Sequence, residues 1–289
     1  MMKAIFQKAL TQIGDHTKII DWHPVRGGDI NEAYYLRTNE NEYFIKIHNQ
    51  APKHFFQREA EGLEEIKKAE AIHVPIVYGY QDSADVSYLI MEWINGKTTE
   101  KTGELLGQGV ARLHQYRSTR FGFSGATYIG EILQKQDWYD SWIDYYREIR
   151  LLSQIQLAEE NHRLPISLRK KLDTLLEQID RWLPEQCTPS LLHGDLWGGN
   201  WLAGPEGVPY LIDPSVFYGH NEFEIAFTQL FGGFPDNFYR AYEEICPLSP
   251  EYEERKPLYQ LYYLLVHLNL FGEVYLGSVE RIVHYYVGK

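Results

Sequence analysis

The hydrophobic pattern changes period once along the chain, and this change limits the fold more than any other feature. In the first third, EAYYLRT, NEYFIKIH, VPIVYGY and DVSYLIMEWI read as strands, with turn-forming residues Asn39 to Asn41 before the second. One helix interrupts them over about 55–69, where Phe56, Ala60, Leu63 and Ile66 fall at helical spacing. Beyond the polar stretch INGKTT the period becomes helical. GELLGQGVARLHQY carries Leu106, Val110 and Leu113 on one face, and LRKKLDTLLEQIDRWL carries Leu172, Leu175, Leu176 and Ile179. Four or five strands with one helix predict a small α+β lobe over 1–94, and a larger, mainly helical lobe follows over 95–289. Asn95 and Gly96 mark the hinge between them.

With 289 residues, 44% of them apolar, the chain can bury a sizeable core, and it shows neither repeats nor low-complexity tracts. Its 28 Lys and Arg against 40 Asp and Glu give a net charge of −12 without any basic run, which argues against a nucleic-acid partner. The N-terminus lacks the apolar core of a signal peptide, and no window is long and apolar enough for a bilayer, so no membrane partner is expected. Two cysteines, Cys187 and Cys246, without metal-ligand spacing suit a reducing cytoplasm.

Lys46 sits within the apolar strand YFIKIH, where an unpaired ammonium would be costly to bury. Glu59 lies on the inward edge of the next helix, three residues after Phe56 and four before Leu63, and can supply the anion. A strand lysine held by a helix glutamate is how kinases place a cation on nucleotide phosphates, although an exposed surface pair would look the same in sequence. Gly27 and Gly28, between two strands upstream, suit close approach of backbone N–H groups to phosphate or equally a hairpin turn.

The octapeptide HGDLWGGN, after a helical stretch and before a strand, supplies Asp195 and Asn200, and VPYLID ends in Asp213 thirteen residues after Asn200. A carboxylate, an amide five positions on and a later carboxylate appear in the order that phosphoryl transfer needs. The first orients the acceptor hydroxyl and takes its proton; the other two are hard oxygen ligands for magnesium. Gly198, Gly199 and Asn200 would also make an ordinary turn, but Lys46 and Glu59 upstream make coincidence a poor account of the whole set.

HGDLWGGN, LIDPSVFYGHNEFEIAFTQLFGGF and LYQLYYLLVHLNLFG, supported by RGGDIN and FFQREAEGL, resemble the fructosamine kinase (ketosamine-3-kinase) family over nearly the whole chain. The resemblance places it beside the aminoglycoside phosphotransferases and implies a bilobal protein-kinase-like fold with an antiparallel N-lobe sheet. It further implies ATP-dependent phosphorylation of the 3-hydroxyl of ketosamines, such as ribulosamine, erythrulosamine or fructosamine adducts, free or on protein lysines. Carried onto this chain, Asp195 is the proton acceptor, Asn200 and Asp213 bind Mg2+, Glu59 holds Lys46 on the phosphates, and Glu92, Trp93 and Ile94 contact adenine. The chain departs from the family pattern at Gly198 (serine), Ser215 (alanine) and Asn221 (arginine). Asp29 stands where some members carry a redox-active cysteine, so that regulation is not carried over.

The segment after Asp213 passes quickly into helix without a long activation segment, which favours a small acceptor over a peptide bound as protein kinases bind it. Trp197 can stack on a sugar or anchor its loop, and the resemblance favours substrate contact. His267, in the aromatic helix LYQLYYLLVHLNLFG, is a core histidine or a substrate contact. His193 suits packing and hydrogen bonding rather than base chemistry. Two alternatives stand beside a ketosamine kinase: an aminoglycoside- or choline-kinase-like enzyme for another small acceptor, and a nucleotide-binding pseudokinase.

Overall fold

In the computed structural model, residues 2–25 and 31–288 are described. Strands β1 (Ile19–Pro24), β2 (Glu32–Thr38), β3 (Glu42–Asn49), β4 (Val77–Gln81) and β5 (Val86–Glu92) form an antiparallel sheet in the order β1-β2-β3-β5-β4. Period-2 alternation gives β3 two faces. Tyr43, Ile45 and Ile47 join Tyr88 and Ile90 of β5 under helix α1 (Met2–Gln12), which contributes Phe6, Ala9 and Leu10. Phe44, Lys46 and His48 point the other way, with Leu89 and Met91, towards helix α2 (Phe55–Lys68) and the rest of the molecule.

The N-lobe therefore has two helices, α1 adding to the one that periodicity predicted, and each covers one face of the sheet. Helix α2 starts at Phe55 as expected, but its cap is tertiary. His54 makes no side-chain cap, whereas Asp82 accepts hydrogen bonds from Phe56 N–H (3.1 Å) and Gln57 N–H (3.0 Å).

After Glu92 the chain runs without regular structure to α3 (Thr102–His114), with Gly96 packed against the Gly204 carbonyl. A short hairpin, β6 (Thr127–Ile129) and β7 (Ile132–Gln134), precedes α4 (Trp142–Tyr145), a π-helical stretch over Tyr146–Leu152, α5 (Ser153–Glu160) and α6 (Ile166–Glu177). Strands β8 (Ser190–Leu192), β9 (Trp201–Ala203), β10 (Pro209–Leu211) and β11 (Phe217–Gly219) make two small antiparallel ladders, β8 with β11 and β9 with β10. Helices α7 (Asn221–Thr228), α8 (Asp236–Glu243), α9 (Tyr252–Phe271) and α10 (Leu276–Val287) complete the C-lobe. Most of α9 is buried, from Leu258 to Asn269, which makes it the axis of the core. No described helix is long and apolar enough to cross a membrane.

Candidate active site

HGDLWGGN joins β8 to β9, so a strand too short to show in the sequence pattern precedes it instead of a helix. Both ends of the octapeptide are tied to the segment bearing Asp213. Ser215 N–H donates to the His193 carbonyl (2.8 Å) and Ile212 N–H to the Asn200 carbonyl (3.0 Å). His193 strengthens the tie: its Nε2 donates to the Ile212 carbonyl (2.7 Å) and its Nδ1 accepts from Asp195 N–H (3.3 Å). Burial lowers the affinity of His193 for a second proton, in keeping with a neutral, structural ring.

Gly194 explains the tight bend. Its φ is +85°, and a Cβ there would stand 2.0 Å from the Ser215 carbonyl oxygen. Beneath it, the Glu224 carboxylate accepts from His193 N–H (3.0 Å), Gly194 N–H (2.6 Å) and His114 Nε2 (2.9 Å). Burial alone would raise Glu224, but His114 and these N–H groups hold it below the ordinary carboxylate value. Tyr263 on α9 donates its hydroxyl to the Gly194 carbonyl (3.1 Å).

Asp195 is half-buried at the turn. Asn200 donates its amide N–H groups to the Asp195 carbonyl (2.7 Å) and to Asp195 Oδ2 (3.0 Å), which leaves Asn200 Oδ1 without a hydrogen bond from the described residues. Surrounding protein pushes the Asp195 carboxyl well above its ordinary range; the Asn200 bond opposes this and the charges of Asp213 and Glu224 add to it.

Opposite, Lys46 Nζ lies 2.7 Å from Glu59 Oε1 and also bonds Asp213 Oδ1. The lysine is 5% exposed, so the surface-pair alternative does not apply. Burial favours a neutral amine, but Asp213 and Glu59 outweigh it and hold Lys46 above the ordinary lysine value. Glu59 moves upward despite the ion pair, because its own burial and then the nearby Asp213 outweigh the lysine. Asp213 adopts φ +56°, a left-handed conformation uncommon for a residue with a side chain. Helix α2 approaches closely here, since a Cβ at Gly62 would lie 3.1 Å from Pro214 Cγ.

The remaining sequence candidates fall in three places. Glu92 pairs its N–H with the Ile76 carbonyl (2.8 Å) and accepts Ile76 N–H at its side chain (3.1 Å). Trp93 packs against Tyr35 and Phe44, and Ile94 lies near Gly204 of the β9–β10 turn. Trp197 is 43% exposed, its ring spread over Gly199. His267 is half-buried, with Nδ1 donating to the Tyr263 carbonyl (2.8 Å) and the ring 4.6 Å from Phe231. The loop after Phe231 also touches the octapeptide, through Gly233 against Gly198. Gly27 and Gly28 lie outside the described residues.

Asn200 Oδ1 and the Asp213 carboxylate are hard oxygen donors of the kind magnesium takes alongside phosphate and water, so this part of the site fits the ion. Asn221 donates to Tyr242 Oη (3.0 Å) and Cys246 Sγ (3.4 Å), an internal role in place of the family arginine. The sequence pattern does not reveal the brace that Glu224 places beneath the loop. The pairing with His114, 110 residues away, leaves no local signal.

The fructosamine kinase family model matches residues 1–289. A probable ketoamine kinase of Enterococcus faecium is 40% identical over 279 residues, covering 96% of this chain and 98% of that protein. One from Synechocystis is 38% identical, covering 97% and 95%. The crystal structure of a Haemophilus somnus protein assigned to the fructosamine-3-kinases superposes with a TM-score of 0.86 at 30% identity, covering 99% of this chain and 97% of the other. An aminoglycoside phosphotransferase shares the fold at a TM-score of 0.65 and 18% identity, covering 98% and 99%. The chain belongs to the fructosamine kinase family and is an ATP-dependent phosphotransferase with a protein-kinase-like fold.

Proposed function

We propose that the protein transfers the γ-phosphoryl group of ATP to the 3-hydroxyl of ketosamines, ribulosamine, erythrulosamine or fructosamine adducts, free or on protein lysines. The observation that carries this reading is the meeting of Lys46, Glu59 and Asp213 beside the Asp195–Asn200 turn, in a chain of the fructosamine kinase family.

Asp195 accepts the proton of the acceptor hydroxyl as its oxygen bonds to the γ-phosphorus; the bond to the bridging oxygen breaks and ADP leaves. The raised proton affinity of Asp195 suits this role, because a surface aspartate would be a weaker base. Lys46, oriented by Glu59, neutralises phosphate charge, and backbone groups of Glu92 to Ile94 meet the adenine. Asn200 and Asp213 hold Mg2+, which offsets charge on the transferring phosphoryl group when bound. Trp197 and His267 flank the acceptor. Trp197 offers an exposed indole face to the sugar, and His267 keeps Nε2 available because Nδ1 is committed to its own helix. Two free cysteines are consistent with a cytoplasmic site of action.

An acceptor panel of ribulosyl-lysine, fructosyl-lysine and kanamycin, read by ADP release and by NMR assignment of the phosphorylated hydroxyl, tests the reading. Transfer to the ketoamine 3-hydroxyl is expected. Turnover of kanamycin alone would replace the acceptor class, and ATP binding without transfer to any acceptor would replace the enzyme with a pseudokinase. Asp195→Asn is expected to lower kcat by about 10²- to 10⁴-fold with ATP affinity little changed. Undiminished turnover would remove Asp195 from the mechanism.

A further inference from the structure

The β6–β7 hairpin is too short to be stable alone, its paired strands running only from Thr127 opposite Gln134 to Ile129 opposite Ile132. Its base is fixed inside the C-lobe. The buried Gln134 accepts from Tyr262 Oη (2.6 Å) and from Arg150 Nη1 (3.3 Å). Tyr145 donates its hydroxyl to Gln136 (2.7 Å) and accepts from Arg150 Nη2 (2.6 Å). Arg150 is 1% exposed, lies 3.7 Å over the Phe217 ring and has no salt-bridge partner among the described residues. The buried guanidinium is instead held by the Gln134, Tyr145 and Tyr262 oxygens and the Phe217 ring, which fixes the base of the hairpin to the C-lobe core.

The other end of the hairpin reaches the N-lobe. Tyr128 packs its ring 5.1 Å from Phe55, the first residue of α2, and donates to the Lys53 carbonyl (3.0 Å). Glu131 lies 3.1 Å from His48 Nε2, on the same face of β3 as Lys46. Thr127 Oγ1 accepts from Ser215 Oγ (3.1 Å), two residues beyond Asp213. One hairpin thus touches the strand bearing Lys46, the helix bearing Glu59 and the segment bearing Asp213.

We propose that the hairpin positions the phosphate-binding residues, holding α2 and the Asp213 segment in the register where Lys46, Glu59 and Asp213 meet, with Tyr128 as its principal positioning residue. The inference rests on the phosphate-side roles proposed above for those three residues. It assigns Tyr128 no contact with substrate.

Tyr128→Ala removes the ring and the hydroxyl, whereas Tyr128→Phe keeps the packing. Hydrogen exchange of the nucleotide-free protein should show faster exchange in residues 55–68 of Tyr128→Ala, with α9 protection unchanged. In steady-state assays its kcat should fall about tenfold at an acceptor KM within about twofold of the parent, and Tyr128→Phe should recover most of the loss. Unchanged exchange in 55–68, equal loss of protection in both lobes, or faster α2 exchange with unaltered kcat would each overturn the proposal. Failure of the parent enzyme to phosphorylate ketoamines would count against the acceptor reading, while the exchange comparison, which needs no acceptor, would still decide the role of the hairpin.

Discussion

At the residue scale, the site depends on two backbone conformations that side chains resist. Gly194 at φ +85° leaves no room for a Cβ, and Asp213 sits at φ +56° while its carboxylate meets Lys46. Gly194→Ala should cost about 1–3 kcal/mol in urea titrations, from strain and the Ser215 clash. It should lower kcat by about 10²-fold through displacement of the octapeptide. The Lys46–Glu59 contact was legible in the sequence, because strand alternation and helix spacing each turn one of the pair inward and thirteen residues separate them. The contact of Lys46 with Asp213 spans 167 residues and depends on how the lobes pack, which no local period encodes. For the same reason Glu224 beneath the loop escaped notice.

At the scale of elements, helices α2 and α3 stood out through helical spacing of their apolar residues, and strands β2, β3 and β5 through apolar, β-branched and aromatic runs, β5 being buried on both faces. Helix α1 carries Phe6, Ala9 and Leu10 at helical spacing, yet these three are its only buried residues over 11 positions, so its signal was weak. Strand β1 is exposed at every position but Ile19 and offers no alternation to read. The three-residue strands of the hairpin exist only through their tertiary partners.

The turn after α1 also carries a pH-dependent tie. Asp15 accepts from Thr17 N–H (2.8 Å), Thr38 Oγ1 (3.0 Å) and Tyr43 Oη (2.9 Å), joining α1 to β2 and β3. Burial would raise its pKa, but the bonds from Thr17, Tyr43 and Thr38 bring it down from 3.8 to about 2. A depressed carboxylate stabilises the fold fully above its unfolded value and loses that contribution as pH falls towards the folded one. Unfolding free energies measured between about pH 5 and pH 2 should therefore fall more steeply for the parent than for Asp15→Asn, with the difference concentrated below about pH 4.

At the scale of the molecule, the single change of hydrophobic period announced a sheet-rich lobe followed by a helical one, and the structure has that order. The packing of the lobes around Lys46 was not legible, since it rests on contacts between distant segments. It has a consequence for the form in which nucleotide arrives. The single ammonium of Lys46 is shared by Glu59 and Asp213. On the roles proposed above for Lys46 and Asp213, a bare ATP polyanion would have to displace a carboxylate from that ammonium and then face it, whereas a magnesium complex would bring a counter-charge for Asp213. The enzyme should thus discriminate by ionic form: initial rates should follow the concentration of the magnesium complex, and excess metal-free ATP should compete poorly. Strong inhibition by metal-free ATP at fixed complex concentration would contradict this, and with it the idea that an internal ion pair screens which nucleotide species enters.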